Sequence, residues 1–372
     1  MSLKKVKLAV AVAAVLALSA SVFAQVEVTP YGGAHYRLRT DVTMLSDNND
    51  NSNTVANYSN HVAWRLGLRA KVDEQLSLQF QIGNDWAASE GVNWRANNFI
   101  GARVGEQNLY VHLASARWNP GFMFVEAGVV PLASNGTLDL LRHSINRGSY
   151  DEAGFFGWGD FNNSMIGLKL GVPILTDDVK VGVELFQSVI DPRRRAESAT
   201  ESDANLPSIL MVLTVPVIAG DFRITPEFTS VINRYYTPGN ADHEFIFGLA
   251  GSYKVSDEVT VNFNGGYGMV SNENTTAADT FKNNGLLVGA STVIKAGPGN
   301  LMIGANYNRA WDSEIDDCAM NYIYGDLRYA YKVHPNFVIT PRYRPYVTLF
   351  PEDQANKMRF NNRIELILEG SF

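Results

Sequence analysis

A single cysteine, Cys318, occurs in 372 residues, so no internal disulfide framework holds this chain together. We read it as an isolated loop thiol and assign it no role. Long apolar runs are scarce as well. After the first 24 residues none approaches the length of about 20 that a transmembrane helix needs, which excludes a helical membrane protein. Basic residues are outnumbered, 31 Lys+Arg against 38 Asp+Glu, for a net charge of −7. That balance gives no support for a nucleic-acid partner. The segment Asp47-Asn48-Asn49-Asp50-Asn51-Ser52-Asn53 has the density of a calcium loop but lacks its glycine and distal glutamate. It reads as solvated loop, and no metal or cofactor is implied.

What is present begins with a charged start. Lys4, Lys5 and Lys7 precede an apolar run from Leu8 to Leu18, followed by Ser19-Ala20-Ser21-Val22-Phe23-Ala24. This is the layout of a secretory signal with an A-x-A type cleavage site. We expect residues 1–24 to be removed and residues 25–372 to form one domain. Loss of those three lysines lowers 31 Lys+Arg to 28, against 38 Asp+Glu, a mature charge of −10.

Apolar and polar residues then alternate along almost the whole chain, at the period of strands. Val62, Trp64, Leu66, Leu68, Ala70 and Val72 share one face. His61, Arg65, Arg69 and Lys71 share the other. Leu76, Leu78, Phe80 and Ile82 repeat the pattern, as do Val179 to Leu185 and Phe245 to Val255. A soluble β-sandwich also alternates, so the connections decide. Seven are tight, at Asp73-Glu74-Gln75, Asn119-Pro120-Gly121, Thr176-Asp177-Asp178, Ala219-Gly220-Asp221, Ser256-Asp257-Glu258, Gly297-Pro298-Gly299-Asn300 and His334-Pro335-Asn336. Each is rich in turn residues. Eight longer polar stretches lie between them, near 41–60, 87–105, 131–162, 191–206, 235–243, 272–284, 312–319 and 350–358. Fifteen connections imply sixteen strands. The expected fold is all-β: a transmembrane antiparallel β-barrel with short periplasmic turns and longer external loops. Strand eight, Ile209 to Ile218, is apolar on both faces, which we attribute to packing against an inward loop or a subunit contact.

The last segment, Ile364 to Phe372, is amphipathic and ends in phenylalanine. It resembles the signal read by the barrel-assembly machinery of Gram-negative outer membranes. The whole pattern resembles the sixteen-stranded general porin family. The resemblance is best at Arg65-Leu66-Gly67-Leu68-Arg69, at Leu76 to Ile82 and at Asn108-Leu109-Tyr110-Val111-His112-Leu113. It implies an outer-membrane diffusion channel surrounded by lipid and lipopolysaccharide, a homotrimer, and small hydrophilic solutes as its cargo. The basic loop Asp191-Pro192-Arg193-Arg194-Arg195 suits contact with lipopolysaccharide.

In porins the loop after strand five folds into the barrel as an eyelet. Here strand five is predicted from Phe122 to Val130, and the longest connection, Pro131 to Asn162, follows it. The resemblance implies that this loop narrows the pore. It carries Asp139, Arg142, Arg147, Asp151 and Glu152, with Thr137 to Ser144 as a short helix. If the apolar faces meet lipid, the inward faces gather His35, Arg37 and Arg39 from strand one and Arg65, Arg69 and Lys71 from strand two. Strands fourteen to sixteen add Arg328, Lys332, Arg342, Arg344 and Arg363. Arginine or lysine facing lipid costs about 2–4 kcal/mol near the midplane, so the lumen is the cheaper place. Closure would make these one basic wall opposite an acidic loop, with a field across the pore that favours polar solutes.

Three other readings fit an exported barrel. One is a substrate-selective channel for sugars or anions; for sugars it would need an aromatic slide, for which Tyr110, Trp118, Tyr322, Tyr324 and Tyr346 are candidates scattered in sequence. An outer-membrane enzyme would need a nucleophile and base or paired carboxylates, and no spacing selects them. An adhesive barrel would favour much longer external loops. The expected activity is therefore non-enzymatic.

Overall fold

The computed structural model describes residues 26–47, 52–83, 94–95, 110–131, 164–175, 179–190, 208–237, 240–274, 281–312, 320–350 and 356–372. Sixteen antiparallel strands close into a barrel. They are β1 (Glu27–Asp47), β2 (Ser52–Lys71), β3 (Leu76–Gly83), β4 (Tyr110–Trp118), β5 (Phe124–Pro131), β6 (Ser164–Leu175), β7 (Val179–Ile190) and a broken β8 (Ser208–Thr214 with Val217–Ala219). The second half holds β9 (Phe222–Thr237), β10 (Asn240–Lys254), β11 (Val259–Asn274), β12 (Phe281–Ala296), β13 (Gly299–Asp312), β14 (Met320–His334), β15 (Phe337–Leu349) and β16 (Asn356–Ser371).

Each strand pairs with its neighbours in sequence, and β1 pairs with both β2 and β16. That last seam removes the open edges, which hydrocarbon does not tolerate. The seam runs from Gly33 opposite Ser371 to Ser46 opposite Met358. Phe372 completes it through reciprocal backbone bonds with Gly32, at 3.1 and 3.2 Å.

Exposure is reversed relative to a soluble protein. On β16, Ile364 is 57% exposed, while Arg363 and Glu365 on either side are 1% and 2% exposed. Leu38, Leu66, Phe80, Ile303 and Leu327 are likewise exposed, and Arg37, Glu126, Lys169, Glu227 and Asn306 are buried. An outer surface of apolar side chains and an inner one of polar side chains suit a barrel with lipid outside. Tyr36, Phe247, Tyr253, Tyr331, Tyr343 and Phe372 stand on the exposed outer face.

The short turns are built as their residues suggest. Gly121, Gly220 and Gly297 take positive φ angles of 103°, 55° and 57°, which residues with a Cβ rarely adopt. In the turn after β2, Asp73 Oδ1 accepts the backbone N–H groups of Gln75 and Leu76 at 2.7 and 2.6 Å.

The expected long loops at 41–60 and 235–243 are corrected. β1 and β2 pair as far as Ser46 opposite Ser52, and β9 and β10 as far as Thr237 opposite Asn240. At 21 residues, β1 spans about 70 Å at the usual strand rise, well beyond the 9–11 residues needed to cross a bilayer. Past the bilayer both faces meet water, so polarity on both faces does not end a strand. Ser52 to Tyr58 are accordingly exposed without alternation. A two-residue strand, Trp94–Arg95, pairs with Ser59 and Asn60 inside the expected loop 87–105. It occupies backbone groups of β2 beyond the end of β3.

Other details shift slightly. β5 begins at Phe124 rather than Phe122. The apolar strand eight is interrupted at Pro216, which has no N–H to donate. Its carbonyl accepts from Gly182 N at 2.8 Å.

Candidate functional site: the charged inner wall

Where β14, β15, β16 and β1 meet, the period of two sends one face of each strand inward. Register sets the neighbours: Arg328 lies opposite Arg342, Arg342 opposite Glu365, and Glu365 opposite Arg39. One step further out, Arg344 lies opposite Arg363 and Arg363 opposite Asp41. The sequence therefore builds a ladder of guanidiniums with carboxylates set between them.

Glu365 is at its centre. Arg344 Nη2 lies 2.7 Å from Glu365 Oε2, Arg37 Nη1 lies 3.2 Å from Oε1, and Arg342 Nη1 lies 3.9 Å from Oε2. Arg342 forms a two-pronged pair with Asp326, its Nε donating to Oδ1 at 2.8 Å. Arg363 Nε donates to Asp41 Oδ1 at 2.6 Å, and Arg39 also pairs with Asp41. Such forked pairs fix guanidinium planes as well as charge.

Three tyrosines extend the cluster toward the long-connection end. Tyr322, Tyr324 and Tyr346 are buried with ring centroids 5.7–6.1 Å apart. Arg344 Nη1 donates to the Tyr324 hydroxyl at 2.8 Å, and the Arg363 guanidinium sits 5.6 Å from the centre of the Tyr346 ring.

The wall expected from the sequence thus divides in two. Arg37, Arg39, Arg342, Arg344 and Arg363, with Arg328 beside them, are brought together. His35, Arg65, Arg69 and Lys71 lie nearer the short turns, where Arg69 stacks over Tyr31 at 4.5 Å and His35 Nδ1 lies 3.1 Å from Glu369 Oε1. Lys332 is exposed near the turn after β14.

Carboxylates are set into this basic group. Asp41, Asp326 and Glu365 are buried within the arginine group, because unpaired guanidiniums packed together out of water would be too costly. Sequence reasoning placed Asp41 in a loop and passed over Asp326. The spacings Asp326-x-Arg328 and Arg363-x-Glu365 were the available signal, since residues two apart on a strand share a face. The tyrosines were visible in sequence, but only the pairing of β14 with β15 stacks them. Trp118, another candidate slide residue, is exposed at the short-turn end of β4. The eyelet residues Asp139, Arg142, Arg147, Asp151 and Glu152, and the Tyr110 side chain, lie outside the described residues.

On β11 to β13 the middle of the inner face carries amides, with Asn264 opposite Gly289 and Gly289 opposite Asn306. Among the described residues no cluster of three or more His, Cys, Asp or Glu has metal-binding geometry.

Comparison with solved structures decides the architecture. The anion-selective porin from Comamonas acidovorans superposes with a TM-score of 0.59, at 13% identity, over 94% of this chain and 100% of that one. The fold is that of a general porin. OmpT, an outer membrane protein of Vibrio cholerae, matches at TM-score 0.55 and 14% identity, over 93% of this chain and 98% of its own. The outer membrane channel DcaP of Acinetobacter baumannii matches at 0.51 and 14%, over 94% and 98%. No family model matches the porin-fold chain, and no curated protein does. At this identity the likeness carries the porin architecture, and the chemistry of this wall belongs to this chain's own residues.

Proposed function

We propose that the chain is a passive diffusion channel of the Gram-negative outer membrane, without enzymatic activity, for small hydrophilic solutes and ions. The observation that carries this reading is the reversed surface, apolar outside and densely charged inside. Residues 1–24 direct export and are removed. The barrel-assembly machinery reads the strand ending at Phe372, and lipid and lipopolysaccharide surround the product. A homotrimer is the proposed assembly; one of the OmpT structures is described as a trimer form.

The loop 131–162 is proposed as the constriction, with Asp139, Asp151 and Glu152 facing the arginine ladder and Arg142 and Arg147 tuning it. A fixed field between them orients water and polar solutes. Arg37, Arg39, Arg342, Arg344 and Arg363 outnumber Asp41, Asp326 and Glu365 by two charges, so the ladder favours anions modestly. The similar Comamonas protein is described as anion-selective.

Planar-bilayer recording tests the reading. We expect stepwise conductance and, in a salt gradient, a reversal potential that moves toward cation preference when Arg65, Arg342 and Arg344 become glutamine. A folded, inserted barrel without conductance overturns the channel. An unmoved reversal potential removes the basic wall from ion selection. A narrower second reading is a saccharide-selective channel, which requires the now buried rings of Tyr322, Tyr324 and Tyr346 to open to the solute. Liposome swelling would then run faster with sugars than with amino acids of equal size.

A further inference from the structure

The outer face of the barrel repeats one polar pair. In four hairpins that reverse at the end away from the short turns, a tyrosine hydroxyl on the first strand donates to an asparagine Oδ1 on the second. The pairs are Tyr36–Asn60 at 3.4 Å (β1–β2) and, each at 2.6 Å, Tyr267–Asn284 (β11–β12), Tyr307–Asn321 (β13–β14) and Tyr343–Asn362 (β15–β16). Each asparagine lies one outward step further from the short turns than the residue opposite its tyrosine; Asn321, for example, lies beyond Ile323, which faces Tyr307. Strands β11 to β16, β1 and β2 are contiguous across the seam. The pairs therefore occupy one half of the barrel wall.

A full charge stands in this half. The outer face of β13 runs Leu301, Ile303, Ala305, Tyr307 and then Arg309, which is exposed. Arg309 lies directly opposite Asn321 on β14, where side chains are neighbours. Its guanidinium is 5.6 Å from the centre of the Trp311 ring, and among the described residues no carboxylate pairs with it. Trp311 packs on Tyr267 with ring centroids 6.2 Å apart. Arg309 lies ten residues beyond Gly299 along β13, about 33 Å of strand and roughly 25 Å of height at a tilt of about 40°. The apolar band of such a barrel is about 25 Å tall. The cation therefore stands at the far edge of the band, at the level that tryptophan and tyrosine mark.

The chemistry of a matching partner follows. The tyrosine hydroxyl occupies the Asn321 oxygen, so the amide N–H groups are what this side chain offers to a partner. Beside them stands a guanidinium without a counter-ion. An acceptor-rich anion at the membrane surface answers both. Phosphate pairs with a guanidinium through two parallel hydrogen bonds and keeps an oxygen for the amide. A zwitterionic headgroup would instead bring an ammonium against Arg309. We propose that Arg309, Asn321 and Trp311 form a binding site for a phosphate of the phosphorylated glycolipid of the outer leaflet, the lipid A part of lipopolysaccharide. The phosphate accepts from Arg309 and from the Asn321 amide, Trp311 shields the pair from water, and acyl chains lie over Ile303 and Ile323, each 50% exposed. The proposal deepens the outer-membrane channel reading and rests on it for the leaflet that the site meets.

The test is native mass spectrometry of the detergent-purified barrel titrated with bisphosphorylated lipid A, with the same lipid stripped of its phosphates, and with phosphatidylglycerol. We expect lipid A to bind at least about tenfold more tightly than the stripped lipid, as one charge-assisted contact implies. Arg309→Gln should remove that preference, Arg309→Lys should retain part of it, and Asn321→Leu should weaken lipid A by a smaller factor. Lys254→Gln, at a short turn on the opposite rim, is the control. Arg309 is exposed, and circular dichroism verifies the sheet in every variant. Equal binding of the two lipid A forms, equal binding of phosphatidylglycerol, or indifference to Arg309→Gln overturns the proposal. Displacement of lipid A by excess inorganic phosphate would mark a site for free anions and also overturn it. So would a change in subunit number on Arg309→Gln without loss of lipid, which would give this face to a second copy of the chain. Conductance of the same preparation separates the two failures. A conducting barrel indifferent to the lipid phosphates ends the lipid site alone, whereas a barrel that holds lipid A but never conducts ends the channel.

Discussion

Replacing Glu365 with glutamine keeps the size of the side chain and removes the charge at the centre of the ladder. Glu365 has Arg344, Arg37 and Arg342 at 2.7, 3.2 and 3.9 Å, and all four side chains are almost fully buried. A buried pair that loses one partner costs about 3–5 kcal/mol, because the remaining charge has neither water nor counter-ion. With Asp41 and Asp326 still present, the five arginines would exceed their carboxylates by three charges instead of two. We expect a loss in that range, measured by urea unfolding of the barrel in lipid vesicles. High salt should not restore it, since buried charges are poorly screened. The double variant Arg344→Gln/Glu365→Gln should lose less than the sum of the single variants, as contacting residues couple. In bilayers, Glu365→Gln should move the reversal potential toward anions. A stability change under about 1 kcal/mol, with additive single variants, would refute the central role of Glu365.

Two further substitutions test other parts of the argument. Leu66→Arg places a charge on the outer face, where Leu66 is 47% exposed. On a water-facing surface the change would cost almost nothing, but in lipid it should cost up to about 2–4 kcal/mol. Unfolding of the two proteins in vesicles distinguishes the cases. Gly128→Ala requires a Cβ at a φ of +122° and 2.1 Å from the Ala114 carbonyl oxygen. We expect at least about 1–3 kcal/mol of destabilisation, and an unfolding midpoint equal to that of the parent would show that this point of β5 is not strained.

Much of the fold was legible in one dimension because a barrel strand is a local object. Trp64, Leu66 and Leu68 alternating with Arg65, Gly67 and Arg69 define two faces without knowledge of any partner strand. The short turns were equally readable at Asp73 and Gly121, where the side-chain cap or the left-handed backbone depends on that residue. Loop lengths were less so. Polarity near 41–60 was read as loop, whereas the chain there continues as paired strand, because water on both sides removes the need for an apolar face.

The sequence by itself determined the barrel class, the strand number and which side chains point inward, since alternation, turn chemistry and the cost of charge in lipid act residue by residue. The tertiary structure decided what those side chains meet. Register across the β16–β1 seam brings Arg37 and Asp41 to Glu365 and Arg363, more than 320 residues away along the chain. It also stacks Tyr346 on Tyr322 and Tyr324, and leaves Arg65 between two glycines. A shift of one residue in pairing would have sent every one of these groups to the opposite face. Charge compensation and aromatic stacking are therefore properties of the closed sheet, whose long-range pairings no local pattern encodes.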